Sequence, residues 1–266
     1  MRYSFHALLL IFFIHLTLSS SCTEDITERA TAVVTSLEEV QLVKAVFLDG
    51  HNGIIQLRHD IAGGLDENGL KKESYFIRIG GDQNSYIGSG NSVTINEDLK
   101  LHLSDGYAAS RNDPKIPPLF GRTISVQVSN DGQRNNMTDL PIEAGRAPDV
   151  LNSNLGFLPG GLVEGSRIIW NVDPLFEGEV YLIGEYFPQL NNGQIASAYP
   201  VGSIDYIAIP DSEGEYVFNL SDFSHLPPSG TMYFTLMRGI ATRIDSDVMG
   251  TDIVLAYSTN NVISDL

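Results

Sequence analysis

Cys22 carries the clearest chemical meaning in this chain, because it is the only cysteine among 266 residues. It follows a mostly apolar run over residues 7–18 and three consecutive serines, and Arg2 places a positive charge near the start. A charged start, an apolar middle and a small-residue cleavage zone are the layout of a secretory signal peptide. The run is shorter than the roughly 20 residues that a membrane-spanning helix needs. We therefore predict a signal peptide over residues 1–21.

A lone thiol at this place resembles the signal of a bacterial lipoprotein, whose cysteine becomes the acylated first residue of the mature chain. Glu24 and Asp25 follow Cys22, and acidic residues there resemble the surface-export signal of Bacteroidetes-type lipoproteins. The resemblance covers residues 1–27 only, and Ser19 stands where the usual lipoprotein box has a branched apolar residue. It implies acyl chains such as palmitate on Cys22 and an anchored position at the outer membrane, on the cell surface. Plain secretion after cleavage is the alternative.

Charge restricts the partners of the chain. The formal net charge is −17, and removal of the signal peptide would remove Arg2 but no acidic residue. Such a chain repels phosphate backbones, so we expect no nucleic-acid partner. It also repels anionic lipid headgroups, so contact with the membrane requires the lipid anchor. The polar, acidic composition of residues 22–34 predicts a disordered tether.

The rest of the sequence predicts an all-β fold. Short runs with period-2 alternation are separated by turn residues at intervals of roughly 8–15 residues, which is typical of sandwiches and barrels. The clearest run is Thr123–Ser129, and a further strand is predicted over residues 40–48. Glycine, proline and asparagine cluster near residues 145–161. We predict two immunoglobulin-like or β-sandwich domains, over residues 35–148 and 157–266, with one larger domain as the alternative.

Residues that could perform catalysis or bind metals show no workable spacing. No zinc-site pattern, nucleophile elbow or phosphate-binding glycine motif occurs, so we predict no catalytic residue, no metal site and no cofactor. The histidines after the signal peptide are therefore predicted to be solvated or hydrogen-bonded: His51, His59, His102 and His225. The nearest approach to a calcium loop involves Asp245, Asp247 and Asp252, but two EF-hand ligand positions are not filled. A polar loop between strands is the better prediction there.

Aromatic residues are concentrated in the second half of the chain, where an exposed set could form a binding face. Trp170 ends an apolar run and is predicted to be buried in a sandwich core. Tyr186 and Tyr199 lie beside proline in loop-like sequence, so they are the better candidates for ligand contact.

These observations favour a lipid-anchored, non-catalytic surface module for binding, adhesion or assembly. Its expected partners are the membrane, through the anchor, and a glycan or an envelope protein. Two other classes stay open: a surface glycan-processing enzyme, either hydrolase or lyase, and a purely structural envelope component. A deep cleft with two carboxylates in unequal environments would favour the enzyme. A large exposed apolar patch or an unpaired strand edge would favour the structural component.

Overall fold

The structure is a computed structural model of the chain. It describes residues 32–36, 42–43, 54–65, 71–80, 92–129, 141–155, 162–187, 204–224, 226, 231–246 and 250–265. All of these residues belong to one compact unit, which spans residues 31–266. No helix within the described ranges has the length and apolar character that crossing a membrane requires.

Nearly all of the regular structure consists of strands, which confirms the predicted all-β class. The strands are β1 (Ala32–Ser36), β2 (Ile54–Leu65), β3 (Lys71–Gly80), β4 (Ser92–Ile95), β5 (Leu99–His102), β6 (Tyr107–Arg111), β7 (Thr123–Ser129), β8 (Ile142–Arg146), β9 (Arg167–Ile169), β10 (Glu179–Phe187), β11 (Ile204–Pro210), β12 (Glu215–Val217), β13 (Thr231–Ser246) and β14 (Gly250–Asp265). Short 3-10 helices lie at Pro117–Leu119, Asp211–Glu213 and Leu220–Phe223.

A main sheet of eight strands runs through both halves of the chain. Its order is β11-β10-β13-β14-β2-β3-β6, and β1 pairs with the far end of β13. The pair β14–β2 is parallel, whereas its other strand pairs are antiparallel. Strands from both predicted domains are therefore hydrogen-bonded neighbours in one sheet. The division of the chain into two domains stays a prediction.

Two smaller sheets lie apart from the main sheet: a four-stranded sheet, β5-β4-β7-β8, and a two-stranded ribbon, β12-β9. In β7 the alternate residues Ile124, Val126 and Val128 are buried, as the period-2 pattern predicts. The sheets pack as a β-sandwich, which confirms the predicted architecture.

Two hydrophobic cores lie against the main sheet, and the first draws residues from both halves of the chain. The first core lies between the main sheet and the four-stranded sheet. It includes Ile55, Leu57, Ile77, Ile79, Val93, Ile95, Ile124, Val126 and Val128. The second core lies between the main sheet and the ribbon with its neighbouring turns. It includes Leu151, Ile168, Trp170, Val180, Leu182, Phe218, Phe223, Phe234, Leu236 and Val262.

A third cluster uses the main-sheet residues that alternate with those of the two cores, such as Tyr181, Ile183 and Met237. Leu42 and Val43 pack into it and are helical. The strand predicted over residues 40–48 is therefore wrong at these two positions, where burial against the sheet replaces pairing at a sheet edge. The sheet also includes residues 32–34 through β1, so the last residues of the predicted tether belong to a strand.

Candidate functional site

The structure describes only part of the predicted site. Cys22 and Tyr199 lie outside the described residues. Tyr186 is on β10, where it is half-buried and packs against the second core. Trp170 is buried, as expected, and its indole Nε1 donates a hydrogen bond to the carbonyl oxygen of Asp211 at 3.2 Å. The structure thus places Tyr186 at the edge of a core and not on an open aromatic face.

The calcium-like loop joins β13 to β14. Asp247 and the side chains of Asp245 and Asp252 lie outside the described residues. Within the described part of the chain, no group of three or more His, Cys, Asp or Glu side chains could hold a metal ion. Of the histidines, His102 is exposed and His59 is buried, whereas His51 and His225 are outside the described residues.

A row of buried polar side chains lies on the main sheet between the two cores, and we call it the polar seam. Its members are Arg238 on β13, Ser258 and Asn260 on β14 and His59 on β2. Ser258 is the register partner of both Arg238 and His59, so three adjacent strands contribute to one row. The segment 149–151 lies along this row. The glycine- and proline-rich stretch that the sequence marks as a boundary therefore includes the segment that crosses the sheet.

The polar seam holds this crossing segment through its backbone. Arg238 Nη2 donates to the carbonyl oxygens of Asp149 and Val150, at 2.9 and 3.1 Å. The amide N–H of Leu151 donates to Ser258 Oγ at 3.0 Å, and Asn260 Nδ2 donates to the Leu151 carbonyl oxygen at 2.5 Å. These bonds satisfy backbone groups that would otherwise be buried without partners.

Arg238 also forms a fully buried ion pair. Its Nη1 lies 2.9 Å from Asp211 Oδ1, and both side chains have no exposed area. The other carboxylate oxygen, Oδ2 of Asp211, accepts the Asp173 amide N–H at 2.8 Å. A buried charge without a partner is very costly. The guanidinium of Arg238 and the carboxylate of Asp211 therefore each need the other in order to stay in the interior.

A second ion pair continues from Asp173 towards the surface. Arg146 donates to both carboxylate oxygens of Asp173, at 2.7 and 3.2 Å. Burial pushes the pKa of Asp173 upward, but the bonds from Arg146 and from the backbone of Asp149 and Leu175 outweigh it and leave that pKa lowered. Asp173 is therefore a carboxylate that fixes the guanidinium of Arg146 in place.

His59 closes the other end of the polar seam. Its Nδ1 lies 2.6 Å from Ser258 Oγ, and its Nε2 lies 3.7 Å from Glu73 Oε2. Ser258 Oγ also accepts from the Leu151 amide, so one hydroxyl joins the His59 imidazole to the crossing segment. Burial lowers the pKa of His59, against the opposing effect of Glu73. Ser258 and His59 are fully buried, whereas the Glu73 side chain is 44% exposed. The buried serine hydroxyl therefore supports the crossing segment and is not presented to solvent.

Beside Arg146 an open cleft of about 420 Å³ enters the surface. It lies where the end of β8, the turn before β10 and the middle of β13 meet. Its lining is contributed by three separate stretches and one outlying residue: Gly145 and Arg146, Phe176–Glu179 with Tyr181, Gly239–Thr242, and Leu42. The cleft volume is in the lower part of the range of about 300–1,000 Å³ that small-molecule sites occupy.

Two glycines shape this cleft. The Phe176 ring lies so close over Gly178 that a Cβ there would come within 2.4 Å of Phe176 Cζ. Gly145 has φ of +96°, a conformation that strains residues with a side chain. The backbone at Gly145 therefore requires glycine, and a side chain at Gly178 would displace the half-buried Phe176 ring from the wall of the cleft.

Glu185 is a buried acid on the same face of β10 as Glu179 and Tyr181, six and four positions further along the strand. It is 4% exposed, and burial raises its pKa to about 7. Raised carboxyl pKa values are common in active sites. Glu185 does not line the cleft, however, so the structure does not bring this acid together with Glu177 or Glu179.

Sequence reasoning missed the cleft and the ion pairs. The cleft residues come from distant segments, so no local spacing reveals them. Arg238 did leave a signal, because it follows Met232, Phe234 and Leu236 at period 2 and so occupies a position that the pattern assigns to the core. A charge at such a position predicts a buried partner.

No protein-family model matches this chain, and a search of curated proteins found no match to its sequence.

Proposed function

We propose that this chain is a lipid-anchored surface protein that binds a partner and does not transform it. The single observation that carries the proposal is the cleft beside Arg146, which combines an aromatic wall, carboxylates and a fixed guanidinium. Such a combination of apolar surface and a few placed polar groups is typical of ligand sites. A glycan or an envelope protein presents groups that match this lining.

The arrangement of the acids favours binding over glycan hydrolysis. Hydrolysis uses two carboxyl groups that flank the scissile bond, one of them an acid with a raised pKa. Glu185 has the raised pKa, but it does not line the cleft and lies six positions along β10 from Glu179, about 20 Å away along the strand. The carboxylate nearest to Arg146 is that of Asp173, which is buried, pairs with Arg146 and accepts two further hydrogen bonds from backbone N–H groups.

The anchor is tested by replacing Cys22 with Ala. We expect the protein to move from the membrane fraction to the soluble fraction, because the acyl chains that hold it cannot be attached. The matched control is Ser21→Ala, which leaves the thiol in place. Retention of the Cys22→Ala protein in the membrane fraction would contradict the anchor.

The binding function is tested with the intact lipidated protein, by chemical cross-linking in whole cells and by a glycan array. We expect a reproducible envelope partner or glycan. Hydrolysis of a polysaccharide that is abolished by Glu177→Gln or Glu179→Gln would instead show the enzyme class. An absence of both binding and turnover would favour the structural class.

A further inference from the structure

We infer that the cleft is a binding site for a neutral sugar, one or two rings of a glycan chain. The inference rests on the proposed binding function and names the ligand class of that same site. It follows from the size of the cleft, from its aromatic wall and from the hydrogen-bonding groups in its lining.

Size and shape favour a short, ring-shaped ligand. The cleft encloses about 420 Å³ and stays open to solvent along one side. This space suits one or two sugar rings, and the open side allows the remaining units of a glycan to extend into water. The backbone at Gly145 and Gly239 contributes to the lining, so part of the wall carries no side chain that would obstruct a ring.

Phe176 supplies the apolar wall. Its ring is half-buried and is held over Gly178, so one part of the ring is fixed while another part faces the cleft. The face of an aromatic ring carries partial negative charge and attracts the weakly positive C–H groups on one face of a sugar. Because the ring is already immobilised, binding would cost little side-chain entropy.

Two glutamates supply acceptors for hydroxyl groups. Glu177 is exposed and Glu179, the first residue of β10, is half-buried. They are two positions apart and both line the cleft, so a single ligand can reach both. A hydroxyl that donates to a carboxylate forms a hydrogen bond about twice as strong as one between neutral groups. Acids at this place also repel an anionic sugar such as a uronic acid.

Arg146 supplies a hydrogen-bond donor without making the cleft cationic. Its guanidinium lines the cleft with 24% of the side chain exposed, and it is paired with Asp173 at 2.7 Å and with Asp149 at 3.4 Å. These carboxylates balance its charge, so the lining as a whole stays acidic and disfavours an anionic ligand. A polyhydroxyl ligand can accept from Arg146 and donate to the glutamates at once.

The test uses the intact lipidated protein in detergent on an array of immobilised neutral, uronic-acid-containing and amine-bearing oligosaccharides. We expect binding to a neutral glycan, followed by calorimetric titration with the soluble form of the glycan that binds. Phe176→Leu keeps the apolar volume but removes the π face, and it should weaken binding about tenfold. Glu177→Gln and Glu179→Gln should each weaken it by a similar factor.

The matched controls are exposed residues outside the lining of the cleft. Leu175→Ala changes an exposed apolar neighbour of Phe176, and Glu164→Gln changes an exposed acid; neither should alter binding. Circular dichroism of every variant should show the native β spectrum. Neutral-glycan binding that all three cleft variants leave unchanged would overturn the site. Binding confined to charged oligosaccharides, or to an envelope protein alone, would overturn the ligand class and leave the binding function standing.

Discussion

The two cores of this protein share one sheet but are closed in different ways. The first core is covered by four strands in regular ladders, and its described members are apolar. The second core is covered by a ribbon of two three-residue strands, by short 3-10 turns and by irregular segments. Buried ions and side-chain bonds to backbone groups accompany this second arrangement, among them Arg238 with Asp211 and Trp170 with the Asp211 carbonyl.

The difference between the two cores follows from how their backbone N–H and carbonyl groups obtain hydrogen-bond partners. Neighbouring strands in a ladder satisfy each other's backbone hydrogen-bonding groups. The side chains over the first core therefore need only alternate between the two faces of the sheet and pack together. Irregular segments have no such ladder, and their buried carbonyl and amide groups need side-chain partners. Arg238 and Asp173 provide these partners around residues 149–151 and 171–175. The same irregular region leaves room at its rim for the cleft.

The largest expected effect comes from a substitution at Arg238, which disrupts the buried ion pair of the second region. Arg238→Met removes one partner of a buried pair, so we expect a loss of about 3–5 kcal/mol in the free energy of unfolding. Three backbone carbonyls also lose their donor. Chemical denaturation measures the loss. The double variant Arg238→Met with Asp211→Leu should recover part of it, because no lone charge then remains buried.

The first core supplies the comparison for that experiment. Leu57→Ala there should cost about 2–5 kcal/mol through lost burial and a cavity. No second substitution of a charged residue should restore it. If the double variant at Arg238 and Asp211 is no more stable than Arg238→Met alone, the view that charge pairing holds the second region is wrong.

A second prediction concerns Glu185 and alkaline pH. Its pKa is raised from 4.5 to about 7 in the folded chain, so the folded state binds the proton more tightly than the unfolded state. Stability from this group is complete below pH 4.5 and is lost as the pH rises through 7, by about 3 kcal/mol. Glu185→Gln should remove this loss. Melting temperatures of both proteins from pH 4 to 8 test it, with Glu164→Gln as the exposed control.

A third prediction concerns His59 and acid, where the sign is reversed. Burial lowers the pKa of His59 below the ordinary 6.5, so stability from this group is present above pH 6.5 and is lost as the pH falls through the folded-state pKa. Glu73 and Asp60 are the acids that act on it. His59→Phe should remove the acid-dependent loss while costing about 1–2 kcal/mol at pH 8, because the hydrogen bond between His59 and Ser258 is lost. An unchanged acid limb in the variant would contradict this role.

The local pattern predicted more of the first region than of the second. In Thr123–Ser129 polar and apolar residues alternate, and the apolar ones are the buried ones. The period-2 pattern was therefore sufficient to identify the strand and its inner face. The pairing of β2 with β14 was not predictable, because these strands are about 200 positions apart and no local signal specifies a distant partner. The glycine- and proline-rich stretch near residues 145–161 was visible, but the pattern does not show that it crosses a continuous sheet.

The candidate site was harder to predict for a related reason. Tyr186 was selected because Phe187 and Pro188 suggested a loop, yet it belongs to β10 and packs on the second core. The acids of the cleft are ordinary among the 33 acidic residues of the chain until folding brings them beside Arg146. Because the site is assembled from three distant stretches, the spacing of residues along the sequence does not predict it.

The smallest expected effect separates buried from exposed ion pairs within the second region. Arg167 on β9 pairs with Glu215 on β12 across the ribbon, with Nε to Oε2 at 2.8 Å. Their side chains are 61% and 50% exposed, so water already solvates both charges. Arg167→Ala should therefore change the free energy of unfolding by less than about 1 kcal/mol, and less still at high salt. A loss as large as that of Arg238→Met would show that ion pairs hold the ribbon irrespective of burial, and it would remove the distinction between the two kinds of pair.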